Sequence, residues 1–171
     1  MTKKVVLLVA SNGFQQDEYH ETYKALVKAG IQVTTASDKQ GKAVAHDGST
    51  VQIDCLMSAI VPALYDGLFL IGGRGALTCL DTPLVYKVLN EMVAVQKPYG
   101  AICISPRILA KAQVLQGKRA TCWDGDQQAQ AVFKEHGVTF VHEHVVIDGK
   151  VVTADGPLAA PAFGQAIATV V

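Results

Sequence analysis

The sequence predicts one α/β domain in which helices cover both faces of a mainly parallel sheet. Two observations indicate this fold class: aliphatic runs alternate with segments of helical periodicity, and half of the 171 residues are hydrophobic. Alternating strands and helices are typical of a parallel sheet with helical crossovers. A chain of this length is typical of a single domain. We see no internal repeat, low-complexity tract or linker, so one domain is expected to span residues 1–171.

The first strand–helix–strand unit lies at the start of the chain. Residues 5–10 form an unbroken aliphatic run, which is typical of a strand buried on both faces. Apolar residues then recur at helical spacing from 17 to 29, and Gly30 follows as a stop signal. Residues 31–36 are the next predicted strand. A unit of this kind implies parallel pairing of its two strands.

The middle of the chain continues the alternation. Residues 44–53 are predicted to form a hairpin or an excursion at the sheet edge, because Asp47-Gly48 stands between two short apolar stretches. Residues 68–71 form another buried strand. Thr82-Pro83 then opens a helix that runs to about residue 96, with threonine as its N-cap.

The remaining third carries the same signals. A strand over 99–102 leads directly into Cys103. The further predicted elements are a helix from about 105 to before 117, a strand over 118–122, a helix over 127–135, strands over 138–147 and 151–153, and a helix over 157–171.

Composition excludes several classes of function. Lys and Arg number 15 and Asp and Glu number 15, so the formal charge is +0 and no global basic field favours nucleic acid or anionic lipid. Aromatic residues are scarce at 6%, which argues against base stacking. No apolar stretch approaches a membrane span, and the apolar run near the N-terminus is too short for a signal peptide. We therefore expect a cytoplasmic protein with no membrane or nucleic-acid partner.

The cysteines favour free thiols. Cys55, Cys79, Cys103 and Cys122 form no C-x-x-C pair, so zinc-ribbon and thioredoxin interpretations fail. Their wide spacing fits a reducing compartment better than a disulfide framework. We expect neither a metal nor a cofactor.

Cys103 is the sharpest chemical feature. It stands at a predicted strand-to-helix turn, where a nucleophile elbow needs small residues two before and two after the nucleophile, and Ala101 and Ser105 meet that need. A thiol at a helix N-terminus is expected to have a lowered pKa. An inert buried cysteine is the alternative, since free cysteine is among the most buried residue types.

Other candidate groups follow neighbouring strands, whose carboxyl ends form the ligand edge of an open α/β sheet. Gly72-Gly73 could direct backbone N–H groups at a developing oxyanion, although the pair by itself favours a simple tight turn. Glu18 could tune Cys103 or act as its general acid or base; the alternative is a solvated first-turn glutamate. Arg74 and Ser105 are candidate substrate-binding residues beside these loops.

The five histidines carry no clear function. His142 and His144 are predicted to alternate on one strand face, but a metal site lacks a third ligand at motif spacing. His20, His46 and His136 stand alone in the sequence.

At this level the chain resembles the DJ-1/PfpI superfamily over nearly its whole length. The segments that carry the resemblance are Val5–Val9 with Gly13-Phe14 and Asp17-Glu18, Ala29–Ser37, Asp66–Arg74, Ala101-Ile102-Cys103, Val145–Gly149 and Val152–Pro157. The resemblance implies a flavodoxin-like three-layer sandwich and a homodimer or larger homo-oligomer. It also implies a reactive Cys103, an acidic partner at Glu18 and oxyanion-type amides around Gly73 and Ile104.

The departures from the family pattern concern proton transfer. The peptidase branch has a histidine directly after the nucleophile and a glutamate three residues after the arginine of Gly-Gly-Arg, where this chain has Ile104 and Leu77. A Cys-His-acid triad cannot be built from aliphatic side chains. The glyoxalase and stress branch often has a histidine at the place of Thr121-Cys122-Trp123. The proline before Gly-Gly in many members is Ile71 here.

Three functions stay open at this point. The leading hypothesis is an enzyme in which Cys103 attacks a small carbonyl compound, as in glyoxalase-type members, while Glu18 carries the proton. The second is a non-enzymatic oxidative-stress sensor that works through oxidation of Cys103. The third is a PfpI-type cysteine peptidase or amidase, which would need a histidine from a loop or a neighbouring subunit.

Overall fold

The computed structural model describes residues 2–171. Its strands are β1 (Lys4–Val9), β2 (Asn12–Phe14), β3 (Gln32–Ser37), β4 (Lys42–Ala45), β5 (Thr50–Gln52), β6 (Cys55–Leu56), β7 (Gly67–Leu70), β8 (Tyr99–Ile102), β9 (Arg119–Ala120), β10 (Thr139–Phe140), β11 (Val145–Asp148) and β12 (Val151–Ala154). Its α-helices are α1 (Gln16–Lys28), α2 (Ala76–Cys79), α3 (Pro83–Ala94), α4 (Pro106–Lys111), α5 (Ala129–Glu135) and α6 (Ala160–Val170). Short 3₁₀ turns lie at Met57–Ala59, Pro62–Leu64 and Pro157–Ala159.

Seven strands form the main sheet in the order β11-β12-β8-β7-β1-β3-β6. Every pairing in it is parallel except the edge pair β11–β12. The sheet therefore has the mainly parallel character that the sequence predicts. Residues 5–9 of the central strand β1 are fully buried, as expected for a strand with covered faces.

Helices cover both faces of the sheet. Phe69 in β7 places its ring 6.1 Å from that of Phe163 in α6, so the alternating neighbours Leu68 and Leu70 point to the opposite face. Helices α1 and α6 pack together on the first face, while α3 packs on β7 and β8 and against α4. This is the flavodoxin-like sandwich that the family resemblance implies.

The predicted hairpin at 44–53 is present as β4 and β5. The turn between them is closed by Asp47, whose carboxylate accepts hydrogen bonds from the backbone N–H (2.9 Å) and hydroxyl (2.6 Å) of Ser49. β4 also pairs in parallel with β2, which makes a separate three-stranded sheet. Because β2 directly follows β1, this small sheet stands at the carboxyl edge of the main sheet.

Two elements differ from their predictions. The helix expected from about residue 105 to before 117 is only the short α4 (Pro106–Lys111), which is followed by turns. The single strand expected over 138–147 is two strands, β10 and β11, with an irregular segment over 141–144. β10 pairs with β9 and β11 with β12, so the connection must cross between two sheets. His142 and His144 therefore do not alternate on one strand face.

Candidate active site

Cys103 lies in a strained turn after β8. Its φ of +63° is in the left-handed region, which costs a non-glycine residue about 1–2 kcal/mol. Three contacts hold the turn: the Cys103 N–H donates to the carbonyl of Ala154 (2.9 Å), and the Cys103 carbonyl accepts from the N–H of Trp123 (2.8 Å) and the thiol of Cys122 (3.2 Å). The backbone of two neighbouring segments thus keeps the thiol at a sharp elbow.

Glu18 lies directly beneath this elbow. It stands in the first turn of α1, where the side chain of Gln15 caps the helix by accepting from the Glu18 N–H (3.0 Å). The Glu18 side chain is fully buried. Its Oε2 accepts a hydrogen bond from the N–H of Gly72 (2.9 Å), and the carboxyl lies close enough to the Cys103 thiol for each group to shift the pKa of the other. The structure therefore brings Cys103 and Glu18 together.

The pKa of Glu18 is raised to about 7. Burial is the main cause, because it disfavours the charged carboxylate. The interaction with the Cys103 thiol and the hydrogen bond from the Gly72 N–H both lower the pKa and so oppose this rise. A neutral carboxyl group is consequently well populated near neutral pH.

The pKa of the Cys103 thiol is raised, first by burial and then by the charge of Glu18. The expected lowering by a helix N-terminus is not dominant, since α4 has six residues and begins three positions later, at Pro106. The backbone N–H groups of Ile104 and Gly73 do favour the thiolate. Protonation of Glu18 removes its charge and supplies a donor to the sulfur. The thiolate is thus most accessible in the form in which Glu18 holds the shared proton.

The two glycines of the β7 loop differ in what they do. The Gly72 N–H is engaged by Glu18, so it is not free for an oxyanion. Gly73 has a φ of +110°, and its backbone N–H faces the sulfur together with that of Ile104. Of the three predicted backbone donors, only Gly73 and Ile104 are therefore directed at Cys103.

A pocket of about 370 Å³ opens over the sulfur. Its lining residues are Gln15, His46, Gly73, Arg74, Cys103, Ile104 and Trp123. No aspartate or glutamate is among them, and Trp123 is the only tryptophan of the chain.

Of the two predicted substrate-binding residues, Ser105 and Arg74, only Arg74 lines the pocket. Ser105 is fully buried, and its hydroxyl donates to the carbonyl of Ile71 (2.8 Å), so it presents no free donor to a ligand. Arg107 is also buried; it binds both carboxylate oxygens of Asp126 (2.9 and 2.5 Å). Arg74, by contrast, is exposed and lines the pocket.

His46 is the site residue that sequence reasoning missed. It follows β4, and its backbone N–H donates to the carbonyl of Phe14 (2.8 Å), which ties it to the carboxyl edge of the main sheet. The Asp47-Gly48 pair predicts the turn of the hairpin, but it does not predict that the hairpin packs beside β2 at the carboxyl edge of the main sheet. Pairing of β2 with β4 decides that, and it links positions about 30 residues apart.

A second cavity, of about 330 Å³, is lined by Trp123, His142 and His144, among others. The ring of His144 contacts Asp155 (2.8 Å), and that of His142 packs edge-on against Phe140. Within residues 2–171, no three His, Cys, Asp or Glu side chains come together in a way that could hold a metal ion. None of the helices in that range is long and apolar enough to cross a membrane.

The fold and this elbow define a flavodoxin-like protein with a cysteine in a sharp strand-to-helix turn beside a buried carboxyl group. The family model described as "DJ-1/PfpI family" matches residues 3–170, and the chain belongs to that family. Known relatives agree. A protein named a deglycase from Pyrococcus abyssi is 32% identical over 154 residues, which are 89% of this chain and 90% of the relative. Protein/nucleic acid deglycase 2 of Escherichia coli is 29% identical over 168 residues, which are 95% of this chain and 94% of the relative.

Solved structures show the same similarity. A ThiJ/PfpI domain protein from Brachyspira murdochii superposes with a TM-score of 0.92 at 26% identity, covering 99% of this chain and 96% of the other. Drosophila melanogaster DJ-1beta superposes with a TM-score of 0.86 at 26% identity, covering 98% of this chain and 89% of the other. The flavodoxin-like fold of the family is therefore the fold of this chain.

Proposed function

We propose that the protein is an enzyme that uses the Cys103 thiolate to attack small carbonyl compounds. The observation that carries this proposal is the surroundings of the sulfur: it borders a pocket, contacts a carboxyl group that is partly neutral near pH 7, and faces two backbone N–H groups. Relatives named as deglycases support carbonyl chemistry, because glycation adducts arise from carbonyl compounds.

The first step can be written with these groups alone. The sulfur forms a bond to the carbonyl carbon, the C=O π bond breaks, and the oxygen takes a proton from Glu18. The N–H groups of Gly73 and Ile104 stabilise the negative charge while it develops. Glu18 is left as a carboxylate and can accept a proton in the following step. No histidine is needed for this sequence.

The test is the rate at which methylglyoxal disappears in the presence of the wild-type protein and its variants. Cys103→Ala should abolish turnover, and Glu18→Gln should lower it roughly 10²–10⁴-fold, the usual range for loss of a general acid or base. Cys79→Ala is the matched control, since Cys79 ends helix α2 and lines no part of the pocket. Equal rates for wild type and Cys103→Ala would remove this function.

Oxidation sensing is the second candidate. The same neutral carboxyl and N–H groups that favour a thiolate also suit an oxidised, anionic sulfur. In this reaction one peroxide adds one oxygen to the sulfur and leaves as water. Treatment with dilute hydrogen peroxide followed by mass spectrometry should show one or two oxygens on Cys103. Absence of added oxygen there would count against a sensor.

The site geometry gives little support to the alternative of a cysteine peptidase or amidase, which needs a histidine beside the thiol. His46 reaches the pocket, but among the described residues it makes no hydrogen bond with Cys103, and its backbone contact with Phe14 does not orient the ring. Assembly into a homodimer or larger homo-oligomer and a cytoplasmic location stay predictions. Light scattering of the purified protein tests the first.

A further inference from the structure

The residues that line the thiol pocket include a positive charge and no negative one. The lining contains the cation Arg74 and the imidazole of His46, but no acidic side chain. The carboxyl group nearest the sulfur is that of Glu18, which lies buried beneath the elbow and is partly neutral near pH 7. A ligand over Cys103 therefore meets a surface with positive charge.

Arg74 differs from the other two arginines of the chain in its lack of a carboxylate partner among the described residues. Arg107 pairs with Asp126 and Arg119 pairs with Glu143 (2.7 Å). Within residues 2–171, Arg74 forms no salt bridge with any carboxylate. Its guanidinium group presents a fork of N–H donors that matches a carboxylate or phosphate group.

The acidic residues that neighbour the lining in sequence are engaged elsewhere. Asp47, next to His46, accepts its hydrogen bonds from Ser49. Asp124, next to Trp123, accepts from the N–H of Ala129 (2.8 Å). None of these carboxylates is placed to neutralise Arg74 from within the pocket.

We propose that the pocket takes a small carbonyl compound that carries a carboxylate, which Arg74 and His46 hold while Cys103 attacks the carbonyl carbon. This inference rests on the proposed function, because it assigns the substrate class of the same site. With glyoxylate as the example, the sulfur adds to the aldehyde carbon, the C=O π bond breaks, and Glu18 protonates the oxygen. The carboxylate of the substrate stays ionised and in contact with Arg74 throughout.

The test compares two alkylating reagents of similar size at Cys103. Iodoacetate carries a carboxylate next to its electrophilic carbon, and iodoacetamide carries a neutral amide in the same place. The rate of each reaction at Cys103 is followed by peptide mass spectrometry at pH 7. The quantity of interest is the ratio of the iodoacetate rate to the iodoacetamide rate, since a change in thiolate population affects both reagents alike.

Arg74→Gln should lower this ratio about tenfold, and His46→Gln about threefold. Lys3→Gln is the matched loss of one positive charge. Lys3 contacts Asp66 at the opposite edge of the sheet, roughly the 20 Å length of a six-residue strand away, and Asp66 keeps Lys97 as a partner. The ratio for Lys3→Gln should stay within about twofold of wild type.

The outcomes separate this inference from the proposed function. If Cys103 reacts with iodoacetamide and Arg74→Gln leaves the ratio unchanged, the anionic substrate class is overturned while a reactive thiol stands. An unchanged ratio in His46→Gln alone overturns the assignment of His46. If Cys103 reacts with neither reagent, both the inference and the proposed function fail.

Discussion

The backbone N–H of Gly72 donates a 2.9 Å hydrogen bond to Oε2 of Glu18, and this contact anchors the buried carboxyl group beside the thiol. Gly72 can make it only because it has no side chain. A Cβ at this position would lie 2.6 Å from the Cβ of Cys103, 2.6 Å from Oε2 of Glu18 and 2.9 Å from the Ile102 carbonyl oxygen. The thiol, the carboxyl group and the β7 loop thus meet around one glycine.

Gly72→Ala is expected to push Cys103 and Glu18 apart. The added methyl group meets backbone and buried side-chain atoms that cannot yield easily, so we expect a loss of about 2–3 kcal/mol in the free energy of unfolding, as in other overpacked cores. The rate of iodoacetamide reaction at Cys103 should change as well. Urea unfolding and peptide mass spectrometry measure the two effects.

The control for this substitution is Gly156→Ala. A Cβ at Gly156 meets nothing within 4 Å, and its φ of 161° is extended backbone that alanine also adopts. Its stability should stay within about 0.5 kcal/mol of wild type. Similar losses for both glycines would mean that the close approach at Gly72 is not the cause.

Glu18 should make the protein less stable as the pH rises. Its pKa is about 7 in the folded protein against 4.5 in the unfolded chain. Below pH 4.5 both states hold the proton; between 4.5 and 7 the unfolded chain releases it first, so the free energy of unfolding falls. Above pH 7 the loss is complete and amounts to about 3 kcal/mol.

Glu18→Gln removes this titration while it keeps an acceptor for the Gly72 N–H. Relative to wild type, the variant should gain up to about 3 kcal/mol between pH 4.5 and 8, measured by urea unfolding at several pH values. Glu21→Gln, on the exposed side of α1, should follow the wild-type curve. Parallel curves for wild type and Glu18→Gln would show that burial does not raise the Glu18 pKa.

Much of the fold is readable from local patterns. The aliphatic run at residues 5–9 predicts a covered strand, and β1 is fully buried over those residues. Thr82 predicts a helix start, and its hydroxyl caps α3 by accepting from the Val85 N–H (3.4 Å). The segment over 141–144 escapes such reasoning, because its apolar neighbours on each side pair with strands of different sheets.

The candidate site is less predictable because its members meet through long-range pairing. Cys103 and Glu18 could be proposed from the elbow and from the family resemblance. Nothing local shows that His46 faces the thiol, since pairing of β2 with β4 brings it there. Likewise, Ser105 has the small side chain that the elbow requires, but only packing shows that its hydroxyl is used by Ile71.

The strained backbone at Cys103 can be measured with two substitutions that both lack the sulfur. Glycine adopts a φ of +63° without a steric penalty, whereas alanine does not. Cys103→Gly should therefore be more stable than Cys103→Ala by about 1 kcal/mol in thermal or urea unfolding. At Ala101, inside β8, replacement of alanine by glycine should instead destabilise by about 0.5–1 kcal/mol. The same sign at both positions would contradict a left-handed elbow.

The salt bridge between Arg107 and Asp126 should hold the segment that carries Trp123. Arg107 is 3% exposed, donates to the Trp123 carbonyl (3.1 Å) and lies over the indole ring at 5.9 Å. Asp126→Asn leaves this buried cation without a countercharge, so we expect a loss of about 2–3 kcal/mol at pH 7. Because Arg107 lowers the pKa of Asp126, the difference from wild type should vanish only in strong acid.

Glu143→Gln is the matched control for this last prediction, because it breaks the exposed pair of Glu143 with Arg119 (2.7 Å). Exposed ion pairs contribute little, so this variant should lose less than about 1 kcal/mol. Urea unfolding followed by Trp123 fluorescence compares both variants, and the native emission should shift in Asp126→Asn alone because Trp123 contacts Arg107. Equal losses would show that burial of Arg107 does not strengthen its dependence on Asp126, and that the pocket wall at Trp123 is held by its backbone contact with Cys103.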